Sequence, residues 1–128
     1  MTLDRKFLLT SLAFAIVGMV VGIYMAASNN HAPFVAHAHI LLVGFVLSFI
    51  YALIHRLFIS AGSHKAAAFQ YWLHTLAAVV MGVGLLIWYT GTSNDPALEK
   101  VLAASANAVL LGALIMVYLV IKFPRAAA

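Results

Sequence analysis

The stretch FVAHAHILLVGFVLSFIYALIHRLFI, Phe34–Ile59, decides how the rest of the chain is read. It is apolar for longer than the roughly 20 residues a helix needs to cross a bilayer, yet it carries His37, His39 and His55. Three further stretches have the same length and character: Phe7–Ala27, Ala67–Tyr89 and Leu98–Phe123. Backbone groups in lipid must find their partners within the segment, so each stretch is expected to be a helix. The breaks between them are short and carry turn chemistry: SNNHAP (Ser28–Pro33), SAGSHK (Ser60–Lys65) and GTSNDP (Gly91–Pro96). Pro96 is a good first helical residue. Short connections place neighbouring helices antiparallel. The expected fold is therefore all-α: one domain, 1–128, an integral membrane four-helix bundle in up-down topology.

The whole composition agrees. Of 128 residues, 66% are hydrophobic and 8% charged, whereas a soluble domain is nearer half apolar and a quarter charged. The first span has no small-residue cleavage site followed by a soluble domain, so it is read as a retained helix rather than a leader. Arg5 and Lys6, Arg56 and Lys65, and Lys122 and Arg125 fall on one side if the helices alternate, and Lys100 alone on the other. The positive-inside rule then puts both termini in the cytoplasm, in a multi-pass protein of a bacterial-type inner membrane. The seven Lys and Arg form no basic face and are not interleaved with aromatics, so nucleic acid is not an expected partner.

Six His stand against three acids, Asp4, Asp95 and Glu99, and there is no Cys. Disulfides, iron–sulfur clusters and thiolate sites are excluded. No Ser-His-Asp set, carboxylate pair or phosphate-binding Gly loop is present, so hydrolase, kinase and carboxylate-relay readings lack their parts. Imidazole is the strong ligand this chain offers. Without carboxylate or thiolate neighbours it suits haem iron or copper.

Depth sorts the six. His31 and His64 belong to connections and are read as solvated. His55, next to Arg56, is expected to snorkel to the interface. His37 and His39 lie roughly 10–13 Å above the midplane of the second span, and His74 roughly 7 Å below that of the third. An ionisable side chain inside a span is a functional candidate by default. The plainer reading of His74 is an interhelical hydrogen bond, with Tyr51 at the same depth and Gln70 one turn earlier. On a helical wheel His37, Leu41, Gly44, Ser48, Tyr51 and His55 share one small, polar face. His39 stands on the opposite row with Leu42, Val43, Val46, Ile50 and Leu53. The two cannot point at one neighbour; one faces the interior and the other a second subunit, and geometry favours His37 as the inward one. Asn107, near the middle of the fourth span, is expected to bond across helices. Gly18 and Gly22 are spaced for close helix packing.

His74 lies roughly 18–20 Å in depth from the outer pair, so it cannot share their iron. A second axial ligand for an outer haem must come from His31, from the other of His37 and His39, or from another copy of the chain.

HAHILLVGFVLSFIYALIHRLF (His37–Phe58), followed by FQYWLHTLAAVVMGVGLLI (Phe69–Ile87), resembles the second and third helices of haem-copper oxidase subunit I, in its cbb3-type and nitric oxide reductase forms. The resemblance covers about two-thirds of the chain. It implies a b-type haem whose ligand falls on His39 by alignment, or on His37 if the polar face decides. His74 joins them as a cofactor-binding candidate without a family counterpart. The oxidase subunit is built of three arcs of four helices, so the resemblance implies a homotrimer of this single arc. The copper-binding His cluster and cross-linked Tyr of the oxidases have no counterpart, which puts oxygen reduction in doubt. The expected function is a membrane-embedded haem protein that moves electrons or binds a diatomic gas, an oxidoreductase if it is an enzyme. The alternatives are copper held by His31, His37 and His39, and a cofactor-free accessory or assembly partner of a respiratory complex.

Overall fold

A computed structural model describes residues 1–60 and 65–126. Four helices account for nearly all of them: α1 (Leu3–Ser28), α2 (Phe34–Leu57), α3 (Lys65–Tyr89) and α4 (Pro96–Lys122). Each is long and apolar enough to cross a membrane, and no strand occurs among the described residues. The expected spans lie inside or within two residues of these bounds. α1 begins four residues earlier than expected, because Asp4, Arg5 and Lys6 continue the helix beyond its apolar run. His64 lies outside the described residues.

The helix ends follow from local chemistry. α1 stops at Asn29, the one non-glycine residue with positive φ (53°) among those described, a role for which its short amide is suited. α4 starts at Asp95, whose Oδ1 accepts from the Ala97 N–H at 2.8 Å, with Pro96 at the first helical position.

α2 is not a uniform α-helix. Ile40–Leu47 forms a π-helix of eight residues between two α segments. Each π turn holds about one residue more than an α turn closes over, so side chains after it lag the 100° step of an ordinary wheel. His37 and Leu41 accordingly meet α1, while Ser48 reaches α3.

The helices pack in succession, α1 on α2, α2 on α3 and α3 on α4. α1 and α4, the ends of the succession, share no extended interface among the described residues. Apolar surface gains nothing by leaving lipid for another helix, so packing here depends on close fit. Gly18 accommodates Leu41, Gly44 the ring of Phe14, Gly82 the Ile40 side chain and Gly84 Leu102. The outward faces carry Ile16, Ile23, Leu42, Val83, Leu110 and Ile121, all exposed, as a lipid solvent requires.

At the end of the molecule where α1 starts and α4 finishes, Phe7 is wholly enclosed. It meets Tyr71 edge-on with centroids 4.9 Å apart and Tyr51 at 5.6 Å, and stacks on His55 at 5.4 Å. Beyond this cluster Ile59 and Pro124 form an isolated antiparallel bridge. Ser60 N–H donates to Phe123 O and Arg125 N–H to Phe58 O. The Arg125 guanidinium also reaches the Arg56 carbonyl, and Arg56 lies 4.0 Å from Asp4.

Candidate functional site

Two imidazoles stand in the first turns of α2. The His37 ring lies in a cradle made by Gly18 and Gly22 of α1. Its Nδ1 is 2.9 Å from the Gly18 carbonyl, and a Cβ on Gly22 would come 3.0 Å from its Cε1. The spacing read as a packing signal therefore serves the histidine as much as the helix. His39, two residues on, turns to the other side, where its Nδ1 meets the Val35 carbonyl at 2.8 Å. A carbonyl only accepts, so Nδ1 carries a proton in both rings, and in the neutral imidazole the lone pair then sits on Nε2. Both rings are half-buried, and no described residue hydrogen-bonds either Nε2. Tying one ring nitrogen to a carbonyl fixes tautomer and orientation, as metal-binding His commonly requires.

The two rings diverge. His37 faces α1; His39 shares its side of α2 with Leu42, Val46, Ile50 and Leu53, all exposed. His31 is exposed in the connection before α2. No group of three or more His, Asp or Glu among the described residues is close enough to hold a metal ion. One protomer thus brings no closed ligand set together from His31, His37 and His39.

His74 belongs to a separate cluster. It is fully buried, and its Nε2 is 3.0 Å from Ser48 Oγ on α2. Tyr51, expected as its partner, instead sets its ring edge-on against the imidazole at 4.9 Å. The hydrogen bond goes to Ser48, one turn before Tyr51 in the same α segment, because Tyr51 presents its ring and not its hydroxyl to the imidazole. The other face of the ring is covered by Phe7 at 6.2 Å, and Gly112 of α4 leaves room for the His74 Cβ. Gln70 does extend the polar face, donating from Nε2 to the Gly112 carbonyl at 3.4 Å. Tyr51 Oη, Gln70 Oε1, His74 Nδ1 and Thr75 Oγ1 are buried without a hydrogen-bond partner among the described residues. The Val43 carbonyl of the π segment nonetheless lies close enough to act on the imidazole.

Two other expectations are corrected. His55 does not snorkel outward; it is half-buried, with its ring stacked on Phe7, because an enclosed phenyl face offers more contact than the interface does. Asn107 does not bond across helices. It is exposed and donates to Ala103 O at 2.8 Å, one turn back on α4, since that carbonyl is within reach of a short amide. The π segment and the Thr10–Tyr71 hydroxyl pair (2.9 Å) escaped sequence reasoning, as neither leaves a compositional mark.

Comparison with protein-family models, with characterised proteins and with solved structures finds no match to this chain.

Proposed function

We propose that this chain is a multi-pass membrane protein that binds a b-type haem through His39 or His37 and works as a homo-oligomer, transferring electrons or binding a diatomic gas. The observation that carries the reading is the shared state of the two rings: Nδ1–H given to a backbone carbonyl, Nε2 left as a donor. The donor chemistry fits the group, since neutral imidazole in apolar surroundings is the usual axial ligand of b-type iron. Bound haem would supply one-electron chemistry and a site for a diatomic ligand. The chain's own residues fix the imidazole, through Gly18 or Val35, and exclude water with the apolar row beyond it.

In this reading the helices alternate in direction. Both termini and the Phe7 cluster lie on the cytoplasmic side of a bacterial-type inner membrane, and the histidine pair lies in the outer half. The open succession of helices supports assembly with further copies, three by the resemblance to one arc of an oxidase subunit. The divergence of His37 and His39 supports a ligand contributed across a subunit boundary, with His39 on the outward row. Copper is the second reading. It needs donors from two copies, because His31, His37 and His39 of one copy do not converge.

The test is a reduced-minus-oxidised absorbance spectrum of the protein purified from membranes and supplied with haem, with copper measured in parallel. Haem predicts Soret and α bands that vanish in one of His37→Ala and His39→Ala and survive in the other. A colourless protein carrying copper selects the second reading. A colourless, metal-free protein under both conditions refutes both.

A further inference from the structure

We propose that His74 is the inner terminus of a proton inlet that runs from the Asp4–Arg56 end of the molecule along α2. This stands apart from the cofactor reading, because it uses none of the outer histidines.

The polar groups on the interior side of α2 follow one another by a turn at a time: His55, Tyr51, Ser48. Ser48 meets His74 at 3.0 Å and Tyr51 lies against its ring. From Arg56 to Ser48 is roughly 12 Å of helix, all of it inside a span that has few other polar interior residues. A polar atom without a partner is costly in a membrane interior. Here Tyr51 Oη, Gln70 Oε1 and His74 Nδ1 are three such atoms, on residues no more than 3% exposed. An interhelical pin needs only the Ser48–His74 bond. It gives no use to a tyrosine hydroxyl held beside it, where phenylalanine would pack as well. A relay does: a hydroxyl free to donate next to an imidazole with one nitrogen unprotonated is what proton transfer requires.

The groups facing His74 are few. α1 contributes Phe7, with no titratable atom; α2 contributes the Val43 carbonyl, Ser48 and Tyr51, with His55 one turn further; α3 contributes Gln70 and, across Phe7, Tyr71; α4 contributes Gly112. Among the described residues, the imidazole's hydrogen-bond and ring contacts include no carboxylate or cationic side chain. Asp4, Arg56 and Arg125 are fixed charges at the mouth. The ring takes a proton at its bare nitrogen and releases one from the other, so only N–H and O–H bonds change and no co-reactant is needed.

The experiment is hydrogen–deuterium exchange of the His74 ring N–H, followed by 15N magnetic resonance of the full chain in lipid nanodiscs. His74–Thr75 is the one His–Thr step in the sequence, so uniformly 13C,15N-labelled His with 15N Thr links the His74 ring, through its own carbons and carbonyl, to the Thr75 amide and assigns it without a variant. An inlet gives exchange within seconds to minutes despite complete burial, slowed at least tenfold in Tyr51→Phe. That variant removes a hydroxyl with no partner among the described residues and so breaks no hydrogen bond seen in the fold. Protection for hours, as for backbone amides of the spans, overturns the proposal. So does rapid exchange that Tyr51→Phe leaves unchanged.

Discussion

Gly44, in the π segment, offers the sharpest test of how the helices are held together. A Cβ built on it would sit 2.3 Å from Cδ1, 2.5 Å from Cγ and 2.9 Å from Cε1 of Phe14 on α1. Ordinary contact begins near 3.4 Å, so in Gly44→Ala the ring or the helix must retreat by about 1 Å, a shift too large for a close-packed interior to absorb freely. Overpacking of this kind costs about 1–3 kcal/mol. Against it stands the gain in helix propensity of Ala over Gly, up to ~1 kcal/mol. Three contacts under 3.0 Å put the overpacking cost in the upper half of its range, about 2–3 kcal/mol, so the packing term wins and the net loss should be about 1–2 kcal/mol. Equilibrium unfolding in mixed detergent micelles, followed through Trp72 and Trp88, measures it. Phe14→Ala in the same background should return at least ~1 kcal/mol as coupling energy. Gly91→Ala is the contrast: nothing lies within 4 Å of its Cβ, but φ is +74°, so its cost of about 1–2 kcal/mol is conformational and Phe14→Ala should not relieve it. A Gly44→Ala protein as stable as the parent, or one without coupling to Phe14, refutes the close-packing account of the α1–α2 contact.

Gly22→Val should displace the His37 ring, whose Cε1 lies 3.0 Å from the first added carbon. If His37 is the axial ligand the haem bands shift or vanish, and if His39 is the ligand they stay. Ser48→Ala leaves His74 Nε2 without its partner and should cost about 0.6–1.7 kcal/mol, the range for interhelical bonds in membranes, in the same micelle assay. Asp95→Ala removes the cap on the Ala97 N–H and should cost ~1 kcal/mol, visible as fraying in amide exchange of the first turn of α4.

The four spans were legible because lipid imposes one requirement over many residues, a continuous apolar run, and the breaks carry Asn, Gly and Pro. The start of α4 at Pro96 was legible for the same local reasons, whereas the Asp95 cap came from the structure. The π segment was not. ILLVGFVL reads as well in α geometry, and its register depends on where Phe14 and His74 sit across the contact, which are long-range matters. The π segment shifts Ser48 and Tyr51 together relative to His37 and Leu41: both follow it in one α segment and both face His74, Ser48 with its hydroxyl and Tyr51 with its ring. His55 and Asn107 were misread because depth alone was used. A stacked phenyl in one case, and a carbonyl one turn back in the other, decide where those side chains go. The opposed directions of His37 and His39, by contrast, followed from a wheel that is still α-helical at Phe34–His39.

The clip at Ile59 and Pro124 is made almost wholly by main chain: Ser60 N–H to Phe123 O, Arg125 N–H to Phe58 O, and the Arg125 head on the Arg56 carbonyl. Main-chain latches are blind to side-chain identity. A substitution scan across Phe58–Ser60 or Phe123–Arg125 would therefore register the core contacts of Ile59 and Phe123 but not the latch itself. Removing residues from Phe123 onward would unfasten the last helix from the second, and α4 would be held to the rest by α3 alone. In a folding sequence that lays down helices one after another, this latch can form only when the last of them is in place, so it acts as a completion check on assembly.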